Sequence, residues 1–468
     1  IMDVESVKDP RCSGQYRDNI TGQLLRDDLI REARLKELQY FRDKGVWAKV
    51  PKAEARRHTG REAISVRWVD VNKGDDDAPR YRSRLVARQL KCMDSSNTSY
   101  FAPAPPLEAL RSVLSLASTE IGDNVPNWAP RSEDRTQILL LDISRAYMNA
   151  DEDQEKPTFV QLPPEDPEAN NLCARLLKCM YGTRGAADGW QTEYSTMLVQ
   201  ELGFTQGVSH PNVFQHKVHG IKLSVHGDDF TAVGSKRSLD WMEAEITKRY
   251  ECTCQPRMGP GIDDAKTGLV LNRVIKWGAS GLTYEADPRQ LERLISDCGM
   301  AGSKGVATPG AKASSAEMAD EKALKKELMT TYRAAAARCN YVASDRPDAQ
   351  FACKEVCRWM SAPTTLGWQA LKRLCRFFSG APRLVYEFPR QKVERLDTYT
   401  DTDWAGCVRT RKSTSGGVMM LGRHCMKHWS TTQSSVTLSS GEAEFHGLVK
   451  GAAAALGQCK VCLVPAGP

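Results

Sequence analysis

The chain has 468 residues, of which 41% are hydrophobic, and a formal net charge of +7. That length suits two or three domains with cores of their own, and no run is long and apolar enough to read as a membrane span. Fifteen cysteines are scattered without a repeating framework and without a secretory signal, so they read as reduced intracellular thiols, not as a disulfide scaffold. The modest basic excess fits a nucleic-acid partner and fits many basic enzymes equally well.

Taken in order, Ile1 to about Asn19 is polar, does not begin with methionine and reads as an internal start without fixed structure. Leu29 to Phe41 is an amphipathic helix with Leu29, Ala33, Leu38 and Phe41 as its apolar stripe. Ile64 to Leu90 reads as two strands joined by a turn at Lys73 to Pro79, with Arg80, Arg82, Arg84 and Arg88 alternating along the second, where they could track phosphates or simply be a solvated face. A proline-rich entry, Pro103 to Pro106, leads into a helix carrying Leu107, Leu110, Val113, Leu114 and Ala117. The run QILLLDISRAYM, from Gln137 to Met148, is a buried strand that delivers Asp142 at its end.

KLSVHGDDFTAVGS, from Lys222 to Ser235, reads as a β-hairpin: Leu223 and Val225 alternate before the turn, Phe230, Ala232 and Val233 follow it, and Gly227 makes it. A helix from Leu239 to Tyr250, strands at Leu269 to Ile275 and Gly281 to Tyr284, and a helix starting at Asp287 come next. Lys304 to Glu321 is small, polar and linker-like. Beyond it, Tyr332 to Tyr341 and Phe351 to Met360 are helical, and Trp368, Leu371, Leu374, Cys375 and Phe378 form a stripe ending at Gly380. Lys372, Arg373 and Arg376 share one side of that last helix and could track phosphates or simply be a solvated face. His424 and His428 sit four apart among strand-forming residues, a spacing that makes no helical metal site, and read as structural. Cys459 and Cys462 form a lone CxxC, a weak zinc or redox signal without a second pair.

Asp228 and Asp229 are the reason to suspect an enzyme. Adjacent like charges at a hairpin tip repel, so such a pair is either solvated or neutralised by a cation. Alone it reads as a surface turn, because Gly and Asp are default turn residues. With Asp142 on a neighbouring strand, three carboxylates would suit the two Mg²⁺ ions of phosphoryl and nucleotidyl transfer.

An ordered series of motifs resembles the reverse transcriptase of copia-type LTR retrotransposons over nearly the whole chain. The series is RYRSRLVARQL (Arg80 to Leu90), LLLDISRAYMNA (Leu139 to Ala150), FVQLPPE (Phe159 to Glu165), LLKCMYGTRGAADGW (Leu176 to Trp190), VHGDDF, ASDRPDAQFA (Ala343 to Ala352) and TYTDTDWAGCVRTRKSTSGG (Thr398 to Gly417). The resemblance implies an α+β right-hand polymerase with palm, fingers and thumb, followed by an incomplete RNase H-like α/β module. It implies an N-terminal extension to residue 38, fingers and palm over 39–303, a linker over 304–321, a helical thumb and connection over 322–394, and the RNase H-like part over 395–468. It also implies RNA-directed DNA polymerase activity in the cytoplasm or nucleus. The substrates would be an RNA template, a DNA primer or RNA–DNA hybrid, and deoxynucleoside triphosphates, with Mg²⁺ as two ions or Mn²⁺ in its place. Asp142 and Asp228 would hold the metals and Asp229 would support them. Arg84 and Arg88 would contact the triphosphate, and Tyr147 would lie under the sugar and exclude a 2′-hydroxyl.

In the last module the resemblance assigns Asp401 and Glu444 as the RNase H carboxylates. Ser439 and Glu442 form a capping box there, and Phe445, Leu448, Val449, Ala452 and Leu456 are expected to be the buried face of the helix. RNase H chemistry needs further aspartates beyond Pro468, so no RNase H activity is expected. The chain departs from the family at Arg184, Gly185, Ala186 and Ala187, where Lys-Gln-Ala-Pro is usual, and at His226, where an aromatic precedes the acidic pair. A glycine cannot replace the hydrogen bonds of the missing glutamine. Two other readings therefore stand beside the polymerase: an inactive retroelement remnant that binds nucleic acid, and a divergent polymerase of the same fold that copies DNA or adds nucleotides without a template.

Overall fold

A computed structural model describes residues 16–75, 77–90, 105–311 and 313–462 of this mixed α/β chain. They fall into two units: Ile1–Ala104 with Ile143–Phe204, and Pro105–Asp142 with Thr205–Pro468.

In the first unit, Val66–Asn72 and Tyr81–Ala87 pair antiparallel around the expected turn. A three-stranded sheet has Leu172–Leu176 between Trp47–Pro51 and Phe159–Gln161. Leu38, Phe41, Trp68, Leu85, Met148, Val160 and Leu176 meet in one core. The helix spans Asp27–Asp43, and of the expected stripe Leu38 and Phe41 are buried and Leu29 and Ala33 half-buried, but the inner face also takes in Ile30, Arg34 and Glu37. Two charges sit inside because they are paired. Arg34 reaches Asp70 at 2.6 Å and Glu165 at 2.8 Å, and its guanidinium lies over the Tyr16 and Trp68 rings. Residues 16 to 19, expected to lack structure, are held as well: Tyr16 is buried, and the Asp18 carboxylate accepts from the backbone N–H groups of Ile20, Thr21 and Asn72. The first fifteen residues lie outside the described part.

The second unit is built on a six-stranded sheet in the order Cys252–Cys254, Thr136–Ile143, Asp229–Ser235, Ile221–His226, Val213–His216, Thr205–Gln206. The helices Leu107–Leu116 and Lys236–Arg249 contact the Asp229–Ser235 strand. A four-stranded antiparallel sheet adds Thr267–Val270, Arg273–Gly278, Gly281–Ala286 and Val385–Pro389. The run expected as a single strand from Leu269 to Ile275 is instead two strands with a tight turn between them. Leu271 and Asn272 take φ of 48° and 59°, left-handed values that asparagine tolerates and leucine rarely adopts, so no Asn-Gly signal advertised the turn.

The helices Lys326–Ala343, Gln350–Cys357 and Thr365–Gly380 share a core of Tyr332, Cys339, Cys353, Leu371, Leu374 and Phe378. Gly380 does not act as a left-handed cap. Its Cα lies 2.8 Å from where a Cβ on Gly305 would sit, so the two glycines allow a close backbone approach. The linker-like stretch is accordingly tied down at its start. Arg376 Nε donates to the Lys304 carbonyl at 2.9 Å and Arg373 donates to Thr308 Oγ1 at 2.7 Å. A short helix, Ser315–Ala319, follows behind a Ser314/Glu317 capping box. Two of the three basic residues on this helix face considered for phosphate tracking thus hold this segment.

The last part has three antiparallel strands, Leu396–Asp403, Thr414–Leu421 and His424–Thr432, and the helix Ser440–Cys462. That helix turns the expected face outward: Phe445, Leu448, Val449 and Leu456 are exposed. Ala443, Gly447 and Gly451 face inward, one turn apart. A Cβ on Gly447 would come within 2.4 Å of Thr402 Oγ1, and one on Gly451 within 2.4 Å of Thr400 Cγ2. Helix and strand therefore pack through small residues at a distance that larger side chains would forbid. Among the described residues no helix is long and apolar enough to cross a membrane.

Candidate active site

The expected hairpin forms, with Ile221–His226 pairing antiparallel to Asp229–Ser235 and Gly227 and Asp228 as its two-residue loop. Gly227 has φ +65°, and a positive φ at the first loop position is what hairpins of this length ask of glycine. Leu223, Val225, Phe230, Ala232 and Val233 are all buried, which fixes the register and sends the polar residues to the tip.

The neighbouring strand supplies the third carboxylate. Thr136–Ile143 is buried at every position except Asp142, and its register sets Asp142 directly opposite Asp229, with His226 opposite Asp229 on the other side. One level of the sheet thus carries His226, Asp229 and Asp142, with Asp228 in the adjoining turn. Burial, and then the charges of Asp228 and Asp142, push the Asp229 carboxyl up to about 6. Among the described residues no group of three or more His, Cys, Asp or Glu is gathered closely enough to enclose a metal ion, so the carboxylates form a like-charged cluster, not a closed ligand shell. Burial pushes the His226 imidazole down, and its Nδ1 is buried without a hydrogen-bond partner.

The expected nucleotide contacts lie on the first unit. Arg84 is half-buried with its guanidinium 4.9 Å from the Tyr181 ring centre, and Tyr147 meets the same ring edge-on at 5.2 Å. Arg88 is exposed, just past the strand. Gly185 precedes the helix Ala186–Thr196, and beside it the Arg184 N–H donates to the Gln89 side-chain oxygen at 2.8 Å.

Asp401 and Glu444 are both exposed. Thr400 and Thr402 face the last helix, so strand alternation turns Asp401 to the opposite face from the helix bearing Glu444. Glu442 accepts from the Leu438 N–H, and Ser439 Oγ accepts from the Glu442 N–H, as a cap requires. His424 and His428 are structural. His424 bonds Ser115 and the Pro389 carbonyl, and His428 bonds Gln350 and Tyr386. The cysteines among the described residues are free thiols, and the side chains of Cys459 and Cys462 lie outside that part.

Residue-by-residue reading missed Asp345. It is buried in the ASDRPDAQFA run, accepts from Arg111 at 3.0 Å, Arg273 at 2.6 Å and Tyr284 at 2.9 Å, and so binds a helix and two strands of the four-stranded sheet together. A polar residue inside a motif was the available signal.

Residues 55–253 match the family model of reverse transcriptase (RNA-dependent DNA polymerase). The chain is 27% identical over 437 residues to the retrovirus-related Pol polyprotein from transposon RE2 of Arabidopsis thaliana, covering 90% of this chain and 27% of that protein. It is 24% identical over 402 residues to that from transposon TNT 1-94 of Nicotiana tabacum, covering 82% and 28% respectively. A shorter match, 39% over 103 residues, is to secreted RxLR effector protein 161 of Plasmopara viticola, 22% of this chain and 72% of that protein. The chain is similar to these retrotransposon Pol polyproteins and spans about a quarter of their length.

Proposed function

We propose that the chain is an RNA-directed DNA polymerase that extends a primer by nucleotidyl transfer. The observation that carries this is the sheet register that sets Asp142 opposite Asp229, beside Asp228 in the turn. Burial and the neighbouring charges of Asp228 and Asp142 push Asp229 up to about 6, a repulsion that a bound cation would relieve. The all-oxygen chemistry of the three carboxylates fits hard divalent cations. Mg²⁺ held by Asp142 and Asp228, with Asp229 in support, would supply charge neutralisation at the primer hydroxyl and the leaving pyrophosphate. The buried strands fix the carboxylates on rigid elements. Tyr147 would act on the sugar and Arg84 on the phosphates.

In this reading residues 39–303 are fingers and palm, 322–394 the thumb and connection, and 395–468 an RNase H-like part. An inactive, nucleic-acid-binding remnant is the second reading, favoured by the missing side chain at Gly185.

Primer extension on an RNA template with Mg²⁺ and deoxynucleotides tests the proposal. Extension by the parent, absent from an Asp228→Ala, Asp229→Ala double variant, supports it. No extension by either, with folding and duplex binding retained, refutes it and leaves the second reading.

A further inference from the structure

The edge of the six-stranded sheet carries a pair of thiols that the polymerase chemistry does not use. Cys252 and Cys254 flank Thr253 on the strand Cys252–Cys254, so strand alternation puts both side chains on one face. The two thiols stand within hydrogen-bond reach of each other, and Cys254 also reaches the Glu243 carboxylate. Both are free and half-buried, while Thr253 between them is exposed. The strand lies beside the one that carries Asp142, and just past it the Gln255 N–H donates to the Leu140 carbonyl at 2.9 Å. Other thiols in contact lack this access. Cys298 with Cys375 and Cys339 with Cys353 touch inside the helical core, where all four are at most 5% exposed, the setting of a small apolar filler.

The surroundings of the open pair are negative. Burial, then the charge of Glu243, pushes the Cys254 thiol up to about 12. Burial raises Cys252 as well, against the lowering by its contact with Cys254, and Glu243, Asp142 and Glu251 add to the rise. Neither sulfur is a thiolate at neutral pH, which makes the pair a poor nucleophile and a poor catalytic redox centre. Such a pair suits a cation that binds sulfur strongly enough to displace the protons. Magnesium and calcium prefer oxygen. Zinc asks for four ligands, and among the described residues no group of three or more His, Cys, Asp or Glu is gathered closely enough to hold a metal ion. Glu243 is already engaged: Arg257 donates to it through Nη2 at 2.5 Å and Nε at 3.2 Å. Two thiolates alone satisfy a soft monovalent ion with a filled d shell, for which linear two-coordination is ordinary.

We propose that Cys252 and Cys254 form a two-coordinate site for cuprous copper at the sheet edge beside the Asp142 strand. Binding breaks both S–H bonds, releases two protons to solvent and forms two Cu–S bonds, with no change of oxidation state. The carboxylate oxygens and this all-sulfur pair thereby sort hard from soft cations on adjoining strands.

Anaerobic titration of the full chain with Cu(I) against the chromogenic chelator bicinchoninate tests this without reference to primer extension. Cys459 and Cys462 are a second dithiol in the sequence, so the titration is run in a C459S/C462S background. There the chain should still take one tightly held equivalent of Cu(I), which C252S and C254S should each abolish and C407S should leave. Affinity should rise by up to about a hundred-fold per pH unit near neutrality, ten-fold for each of the two protons displaced. If a serine variant unfolds, alkylation of the C459S/C462S chain decides. Cu(I) should shield Cys252 and Cys254 from iodoacetamide, read by peptide mass spectrometry, and leave Cys407 reactive. Retained binding in folded C252S or C254S, no tight binding in the C459S/C462S chain, or shielding that falls on other cysteines instead overturns the proposal.

Discussion

Replacing Asp345 with alanine removes the acceptor shared by two buried arginines. Arg111 and Arg273 are each at most 5% exposed at the side chain, and Asp345 is 3%. Arg273 approaches it through Nη2 at 2.6 Å and Nε at 3.1 Å, Arg111 through Nη2 at 3.0 Å, and the Tyr284 hydroxyl adds a bond at 2.9 Å. Removing one partner of a buried pair costs about 3–5 kcal/mol, because the charge left behind stays desolvated. Two stranded guanidiniums place Asp345→Ala at about 5 kcal/mol, a large share of the ~5–15 kcal/mol that holds a typical domain. Asp345→Asn keeps an acceptor oxygen but not the charge, and should cost about half as much. Urea denaturation of the parent and both variants measures this, with limited proteolysis to locate the loosened region. A loss under about 1 kcal/mol for Asp345→Ala, at unchanged denaturant slope, would refute the view that this residue holds helix and sheet together.

The buried histidines set an acid limit. Burial is the main cause holding His424 and His428 down to about 4, so between there and the ordinary value near 6.5 the unfolded chain binds protons that the native chain excludes. Their contribution is complete above about 6.5, is lost as pH falls toward about 4, and amounts to about 3 kcal/mol per histidine; denaturation midpoints at pH 7 and pH 5 should show the drop. Asp229→Asn removes a repelled carboxylate and should stabilise the metal-free chain by about 1–2 kcal/mol at pH 7 while abolishing primer extension. On the last helix Leu448→Ser should change stability by no more than about 0.5 kcal/mol. Gly447→Val should cost about 1–3 kcal/mol or more against Thr402. The reverse ranking in thermal melts would restore the buried-face expectation.

The hairpin and the Asp142 strand were legible in the sequence because alternation, a turn glycine and an acidic strand end all point the same way. Their register was not: nothing local says that Asp142 pairs with Asp229 and not with a residue one step away, a choice made by the buried faces of three strands. Helix faces were read less well, and for two reasons. Hydrophobic periodicity assumes that charges face water, so it rotated the Asp27–Asp43 helix away from Arg34 and Glu37, which are buried as pairs. It also assumes that large apolar side chains mark the core, whereas the last helix docks by glycine and leaves Phe445 and Leu448 outside.

The boundary between the two units falls immediately after Asp142, and the chain returns to the second unit at Thr205. The central sheet of that unit therefore receives Thr136–Ile143 early and its pairing partner Asp229–Ser235 only after a 62-residue excursion, Ile143–Phe204, that completes the other unit. During synthesis the Asp142 strand must wait, with its apolar residues unpaired, while the first unit assembles from its two segments. Such non-local pairing slows folding and exposes an aggregation-prone strand. Refolding should accordingly show a slow phase that reports the carboxylates coming into register, well after the Val66–Ala87 hairpin has formed.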